Sequence, residues 1–113
     1  MNITQELDAL ITSLGLPVET GVFSGKAPEE YVIVTSLGDT FALYANDRPE
    51  YETQEARLSL YSKKNYQAAK RRLVKALLHA RFTVTLRQYL GREDDTGYFH
   101  YTIDAQKLYS LEE

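Results

Sequence analysis

Hydrophobic residues recur along this chain with two different periods, and the switches between them divide it into elements. Ile3, Leu7, Leu10, Ile11 and Leu14 fall on one helical stripe, so residues 2–14 are predicted to form an amphipathic helix. Asn2 is placed to cap it, with Gln5 in the capping-box position, and Gly15 and Pro17 stop it. Glu6 and Asp8 sit near its positive end, where they help slightly. Residues 16–28 carry Gly21, Gly25 and two prolines and read as a loop, in which Val18, Val22 and Phe23 anchor the chain or form a short strand. Tyr31, Val32, Ile33, Val34 and Thr35 are all β-favouring and do not alternate, so residues 30–36 are expected to be a strand buried on both faces. Leu37-Gly38-Asp39 reads as a turn and residues 40–45 as the second strand of a hairpin.

Residues 46–49 break the pattern, and period two then takes over. Ala56, Leu58 and Leu60 point one way across residues 50–62, and Glu55, Arg57, Ser59 and Tyr61 the other. Asn65 caps a predicted helix over residues 66–79. Its stripe is Tyr66, Ala69, Leu73, Ala76, Leu77 and Ala80, with Lys70, Arg71, Arg72 and Lys75 on the remaining surface. Residues 81–90 alternate again, with Phe82, Val84 and Leu86 on one face. A polar loop between Gly91 and Gly97 leads to residues 98–109. There Phe99, Tyr101, Ile103 and Ala105 oppose Tyr98, His100, Thr102 and Asp104. The order α-β-β-β-α-β-β, with two amphipathic helices to cover one face of a mainly antiparallel sheet, predicts a two-layer α+β domain spanning residues 1–113.

Composition narrows the function. At 113 residues the chain holds one core and is near average in hydrophobic (43%) and charged (26%) content. It has no cysteine, which excludes disulfides, thiolate metal sites and thiol catalysis. No apolar run is long enough to span a membrane and the first ten residues lack a signal-peptide pattern, so a soluble protein of a reducing compartment is expected. There are two histidines, and no phosphate-cradling glycine loop, GxSxG or HExxH. His79 lies at a helix end and suits its dipole. His100 and Asp104 share a strand face but lie too far apart to pair directly. Glu93-Asp94-Asp95-Thr96 lacks the ligand spacing of an EF-hand and reads as a hairpin loop. The expectation is a protein that is not an enzyme and uses neither cofactor nor metal.

Charge is segregated along the chain. Residues 56–92 carry ten basic side chains and no acidic one, whereas the rest carries three basic and sixteen acidic ones, for a net charge of −3. Asymmetry of this kind speaks to partners rather than to fold. The basic helix has three readings: a solvated face, a contact with an acidic protein patch, or a nucleic-acid surface on which Tyr61 and Tyr66 stack against bases. The overall acidity counts against the last. Nine tyrosines are present, and Tyr51, Tyr61, Tyr89 and Tyr98 fall on predicted polar faces, as interface residues or as cross-strand pairs.

Three stretches carry a resemblance. They are Gly15-Leu16-Pro17-Val18-Glu19-Thr20-Gly21-Val22-Phe23 with Ala27-Pro28-Glu29-Glu30-Tyr31-Val32; Tyr51-Glu52-Thr53-Gln54-Glu55-Ala56-Arg57-Leu58-Ser59-Leu60-Tyr61; and Tyr89-Leu90-Gly91 through Asp94-Asp95-Thr96-Gly97-Tyr98 with His100-Tyr101. Over nearly its whole length the chain resembles small minor capsid, head–tail joining or tail terminator proteins of siphophages and of prophages of Gram-positive bacteria. The resemblance implies a virion protein, made in the host cytoplasm, that assembles into a ring, typically a hexamer. Such a ring caps the tail tube and docks to the head–tail connector, and DNA passes through its channel without specific binding. It implies no catalytic residue. A head-completion or connector adaptor protein is the nearest alternative, and a nucleic-acid-binding module using residues 57–87 a more distant one.

A ring needs two different, complementary patches on each subunit. The segregated charge supplies candidates: Arg57, Arg71, Arg72, Lys75 and Arg87 against Glu50, Glu52, Glu93, Asp94 and Asp95 of a neighbour. The acidic surplus also suits a channel wall that repels DNA and lets it slide.

Overall fold

The alternation of Ala56, Leu58 and Leu60 sets the architecture. All three are fully buried in strand β3 (Arg48–Ser62), while Arg57, Ser59 and Tyr61 between them are half-buried on the opposite face. The computed structural model describes residues 2–23, 25–45 and 48–111. On one side β3 pairs antiparallel with β2 (Glu30–Ala45), and on the other with β5 (Phe99–Ser110). Strand β4 (Thr83–Arg92) pairs antiparallel with β5, and the short β1 (Val18–Thr20) lies parallel to β2. The sheet order is β1-β2-β3-β5-β4.

Helices α1 (Ile3–Ser13) and α2 (Tyr66–His79) cover one face of this sheet. Ile3, Leu7 and Ile11 from α1 and Ala69, Leu73 and Leu77 from α2 share one core with Val32, Val34, Leu58, Leu60, Ile103 and Ala105. The fold is the two-layer, mainly antiparallel α+β arrangement that the hydrophobic pattern predicts. The predicted caps form: Asn2 accepts from the Gln5 amide, the Gln5 side chain returns the bond, and Asn65 accepts from the Ala68 amide.

Two strand assignments differ from the sequence expectation, and both differences come from β-bulges. Residues 30–45 form one continuous strand, not two strands joined by a turn at Leu37-Gly38-Asp39. The ladder with β3 shifts between Ser36 and Gly38, so Leu37 is the extra residue, and Gly38 supplies the φ of +148° that other residues rarely adopt. The long hairpin is therefore β2–β3, and its connection at Asn46-Asp47 lies outside the described residues. The additional strand near the start is β1. In β4, register shifts at Thr85 and Leu90 turn the chain over. Val84 stays on the helix-covered side opposite Ala105, but Leu86 pairs with Asp104 and faces the open side, contrary to the expected Phe82–Val84–Leu86 face.

The sheet narrows along its length. All five strands are present near Val32–Val34, whereas Tyr51 pairs with Ala42 on one side and with Ser110, near the end of β5, on the other. Beyond that rung β2 and β3 continue as a two-stranded arm, which contributes to a molecule 54 Å long and 25 by 23 Å across.

At the C-terminus of α2 the amide of Phe82 bonds the Leu77 carbonyl and that of Arg81 the Leu78 carbonyl, closing the helix. This closure forces Arg81 to φ +68°, a conformation in which a Cβ is unfavourable. Replacing Arg81 with glycine is expected to stabilise the protein by roughly 1 kcal/mol, raising Tm by about 2–5 °C in a thermal unfolding experiment.

Candidate interaction surfaces

The face of the sheet that the helices leave open is aromatic at one end and charged in the middle. Cross-strand pairing places Tyr31, Tyr61 and His100 in one row across β2, β3 and β5. Tyr61 stacks on Tyr31, with ring centroids 5.0 Å apart, and on His100 at 4.2 Å. Phe23 from the loop after β1 leans on Tyr31 at 5.0 Å, and Tyr98 meets Tyr31 edge-on at 5.5 Å. The Tyr98 hydroxyl donates to the Pro28 carbonyl at 2.6 Å, and Lys63 lies 4.7 Å above the Tyr98 ring. Beside this row a groove of about 370 Å³ runs between the Gly21–Phe23 loop and the strands, with Ile33, Thr35 and Ser59 on its floor.

Burial decides the electrostatics of the row. It pushes the Tyr31 and Tyr61 phenols above their ordinary range, so both stay neutral. It pushes the His100 imidazole below its ordinary value, with Glu93 opposing this more weakly. His100 Nε2 is enclosed and has no hydrogen-bond partner among the described residues, so a proton placed there gains no acceptor.

Further along the same face Arg57 and Asp104 pair through two bonds, of 2.7 and 2.9 Å. The hydrogen bond and the charge of Asp104 hold Arg57 even more firmly protonated than usual. The Asp104 side chain is 9% exposed and that of Arg57 41%, so the pair presents the guanidinium outward.

The other sequence-predicted interface residues lie at separate places. Arg71 and Lys75 are exposed on α2. Arg72 reaches back to the Leu14 carbonyl and ties α2 to the end of α1. Arg87 is exposed on β4, the edge strand beside β5. Glu50 lies on the arm, and Glu52 lies just inside it between Phe41 and Tyr109, where it accepts from the Gln54 side-chain amide at 2.9 Å. Glu93, Asp94 and Asp95 form the β4–β5 connection at the opposite end of the sheet, where Glu93 accepts from Thr96 at 3.0 Å and Asp94 lies 3.7 Å from Arg92. The ten residues thus do not form one site. They set acidic residues on β3 near the arm and in the β4–β5 connection, and basic ones on α2, β3 and β4. No group of three metal-binding side chains comes together among the described residues.

Besides the aromatic row, sequence reasoning missed two features. Tyr89 is not on the open face: the bulge at Leu90 and that at Thr85 set it on the helix side, stacked 5.2 Å from Tyr66. The second is a partly buried polar joint. Lys107 Nζ donates to Glu6 of α1 and, at 2.8 Å, to the Ala80 carbonyl at the end of α2. It also lies 4.7 Å over the Phe82 ring, while the Tyr109 hydroxyl donates to Glu6 at 3.0 Å. Burial, and then the bond to Glu6, raises the Tyr109 phenol well above its ordinary value. The sequence signal for this joint was weak: one lysine on an otherwise acidic segment and one glutamate in a first helical turn.

No protein-family model and no curated protein matches the chain.

Two predictions follow from these surroundings. Lys107→Ala leaves Glu6 half-enclosed and the Ala80 carbonyl without its cation, and is expected to cost about 2 kcal/mol in denaturant unfolding, below the loss for a fully buried pair. The depressed His100 favours the folded state while the imidazole is neutral; that contribution is complete above the unfolded-state value of about 6.5 and is lost as pH falls below it. Melting temperature is therefore expected to drop on going from about pH 7.5 to about pH 5.5, and the drop is expected to shrink in His100→Phe, which keeps the stack on Tyr61.

Proposed function

We propose that the protein is a phage virion component, a tail terminator whose copies form a ring that caps the tail tube and joins it to the head–tail connector. The observation that carries this reading is the placement of charge: Asp39, Glu50 and Glu52 lie on the β2–β3 side of the sheet, while Arg71, Lys75 and Arg87 lie on α2 and β4 at the other. A subunit with two unlike, complementary patches associates head to tail, and head-to-tail association closes into rings. The resemblance of residues 15–32, 51–61 and 89–101 to minor capsid and tail terminator proteins supports the same reading. The partners are further copies of this chain, the tube protein and the connector. DNA is a passenger, and the terminator acts by occupying a surface rather than by chemistry.

A nucleic-acid module is less well supported. Of the α2 cations, Arg72 is engaged with the Leu14 carbonyl and Lys70 lies over the Tyr101 ring, leaving Arg71 and Lys75 as the outward pair.

The test is to mix the purified protein with tail tubes and with head connectors and to image both by electron microscopy. A ring at one tube end is the expected result. Binding to connectors alone would assign the protein to the head side of the neck, as a completion or adaptor protein. Binding to neither, together with retention of DNA that weakens steeply with added salt, would replace the structural role with nucleic-acid binding.

A further inference from the structure

Both outer edges of the sheet carry exposed stretches of strand with no partner. On one side β1 covers β2 only at Val32–Val34, and residues 35–41 beyond it are all exposed. On the other side β4 is the last strand, and its residues 85–90 are all exposed. Unpaired N–H and C=O groups along such edges are templates for another strand. The two edges differ in charge. Residues 37–55, along β2 and β3, hold five acidic side chains and one basic one, whereas residues 83–92 hold Arg87 and Arg92 and no acid. Two copies of β4 brought together would set these arginines against each other, and two copies of β2 would do the same to Asp39. Unlike edges attract.

We propose that copies of this chain join by strand addition, the β4 edge of one copy pairing antiparallel with the β2 edge of the next, with Arg87 opposite Asp39. The inference rests on the ring reading above and specifies its subunit contact.

Three features of the structure support this register. The first is direction. Successive antiparallel pairs from β2 through β3 and β5 to β4 leave β4 opposite in sense to β2. A rotation about an axis running roughly along the strands therefore sets β4 antiparallel to the next copy's β2.

The second is the facing of side chains. Arg87 pairs across the sheet with the buried Ile103, and Asp39 with the buried Gln54, whose side chain reaches the start of α1. Both charges thus lie on the helix side, so a continuous sheet brings them to the same face. Phe41, 59% exposed, shares that side with Asp39, and Tyr89, 46% exposed, shares it with Arg87. The joint places both rings against a neighbouring strand. Neither Arg87 nor Asp39 has an ion-pair partner of its own among the described residues.

The third is stagger. Within one copy Arg87 is level with Ile103, Leu58 and Val34, and Asp39 lies four rungs from that level along β3. Four rungs are roughly 13 Å, and the four strand-to-strand steps to the next β2 are roughly 19 Å, which corresponds to strands tilted by about 35°, the tilt of closed β-barrels. The same stagger carries β4 past the stretch of β2 that β1 covers.

The chain has no cysteine, so introduced cysteines report this contact alone. In the proposed register Leu86 faces Thr40, and both point to the open side. Within one copy they lie on strands separated by β3 and β5 and cannot reach each other. Thr40→Cys and Leu86→Cys proteins, oxidised together, are expected to give a disulfide dimer that neither gives alone. The double variant is expected to give a ladder of linked oligomers, free or on tube ends. Arg87→Glu is expected to weaken self-association in sedimentation at least tenfold at low salt, and adding Asp39→Arg to restore it. Oligomers that form without the cross-link would overturn the joint and leave the ring reading standing. So would proteins that dock on tube ends without cross-linking. Absence of cross-link and of association up to about 1 mM would overturn the joint as well. Cross-linked rings that ignore tubes would uphold the joint and remove the terminator reading.

Discussion

Everything in this fold is hung on β3. It is the central strand of the five, paired with β2 on one edge and β5 on the other, and its period-two alternation assigns each of its neighbours a face. A slip of one residue in its pairing would turn Leu58 and Leu60 outward and drive Arg57 and Tyr61 under the helices. Such a state loses two fully buried leucines and encloses a cation, so the register of β2 and β5 is tightly specified. The helices depend on this choice in turn. Neither α1 nor α2 has another surface on which to bury its leucine stripe.

Polar groups complete what the apolar face begins. Lys107 draws together the first turn of α1, the last carbonyls of α2 and the far half of β5, elements that are remote in sequence. Its stem crosses the Phe82 ring, so one side chain serves both packing and charge. On the open face Arg57 and Asp104 play a comparable part between β3 and β5. That pair also shows why a strongly basic segment is a poor guide to free cations. A residue counted as available for a partner is already held by its own chain.

The helices and the strands β3 and β5 were legible because each is specified locally, by a cap and a stripe or by strict alternation over several residues. The bulges were not. One extra residue at Leu37, at Thr85 or at Leu90 leaves the composition of its strand unchanged and alters only the pairing. At Leu37-Gly38-Asp39 a bulge uses the same glycine that a turn would, so the local signal was read as a chain reversal. At Thr85 the consequence is a reversal of faces, which placed Leu86 and Tyr89 wrongly. The aromatic row escaped for a different reason. Phe23, Tyr31, Tyr61 and His100 are spread over most of the chain, and only ladder register brings them together. The segregation of charge was visible in the sequence, and where its members lie on the sheet follows from topology.

The narrowing of the sheet divides its hydrogen bonds into two classes of permanence. Rungs near Leu58 sit beneath both helices and open to solvent only when the whole domain unfolds. Among the described residues, the β2–β3 rungs past Tyr51 have no β5 ladder partner beside them, so they open at lower cost. Amide protons there exchange with water while the core keeps its own. The β2 edge at residues 35–41 is exposed in a single copy and would be ordered in a strand-added joint, so contact made through it carries an entropy cost. That cost weakens each isolated encounter. It falls only once per contact, and a chain of copies that closes on itself recovers it through the last joint, which forms without bringing in another free subunit.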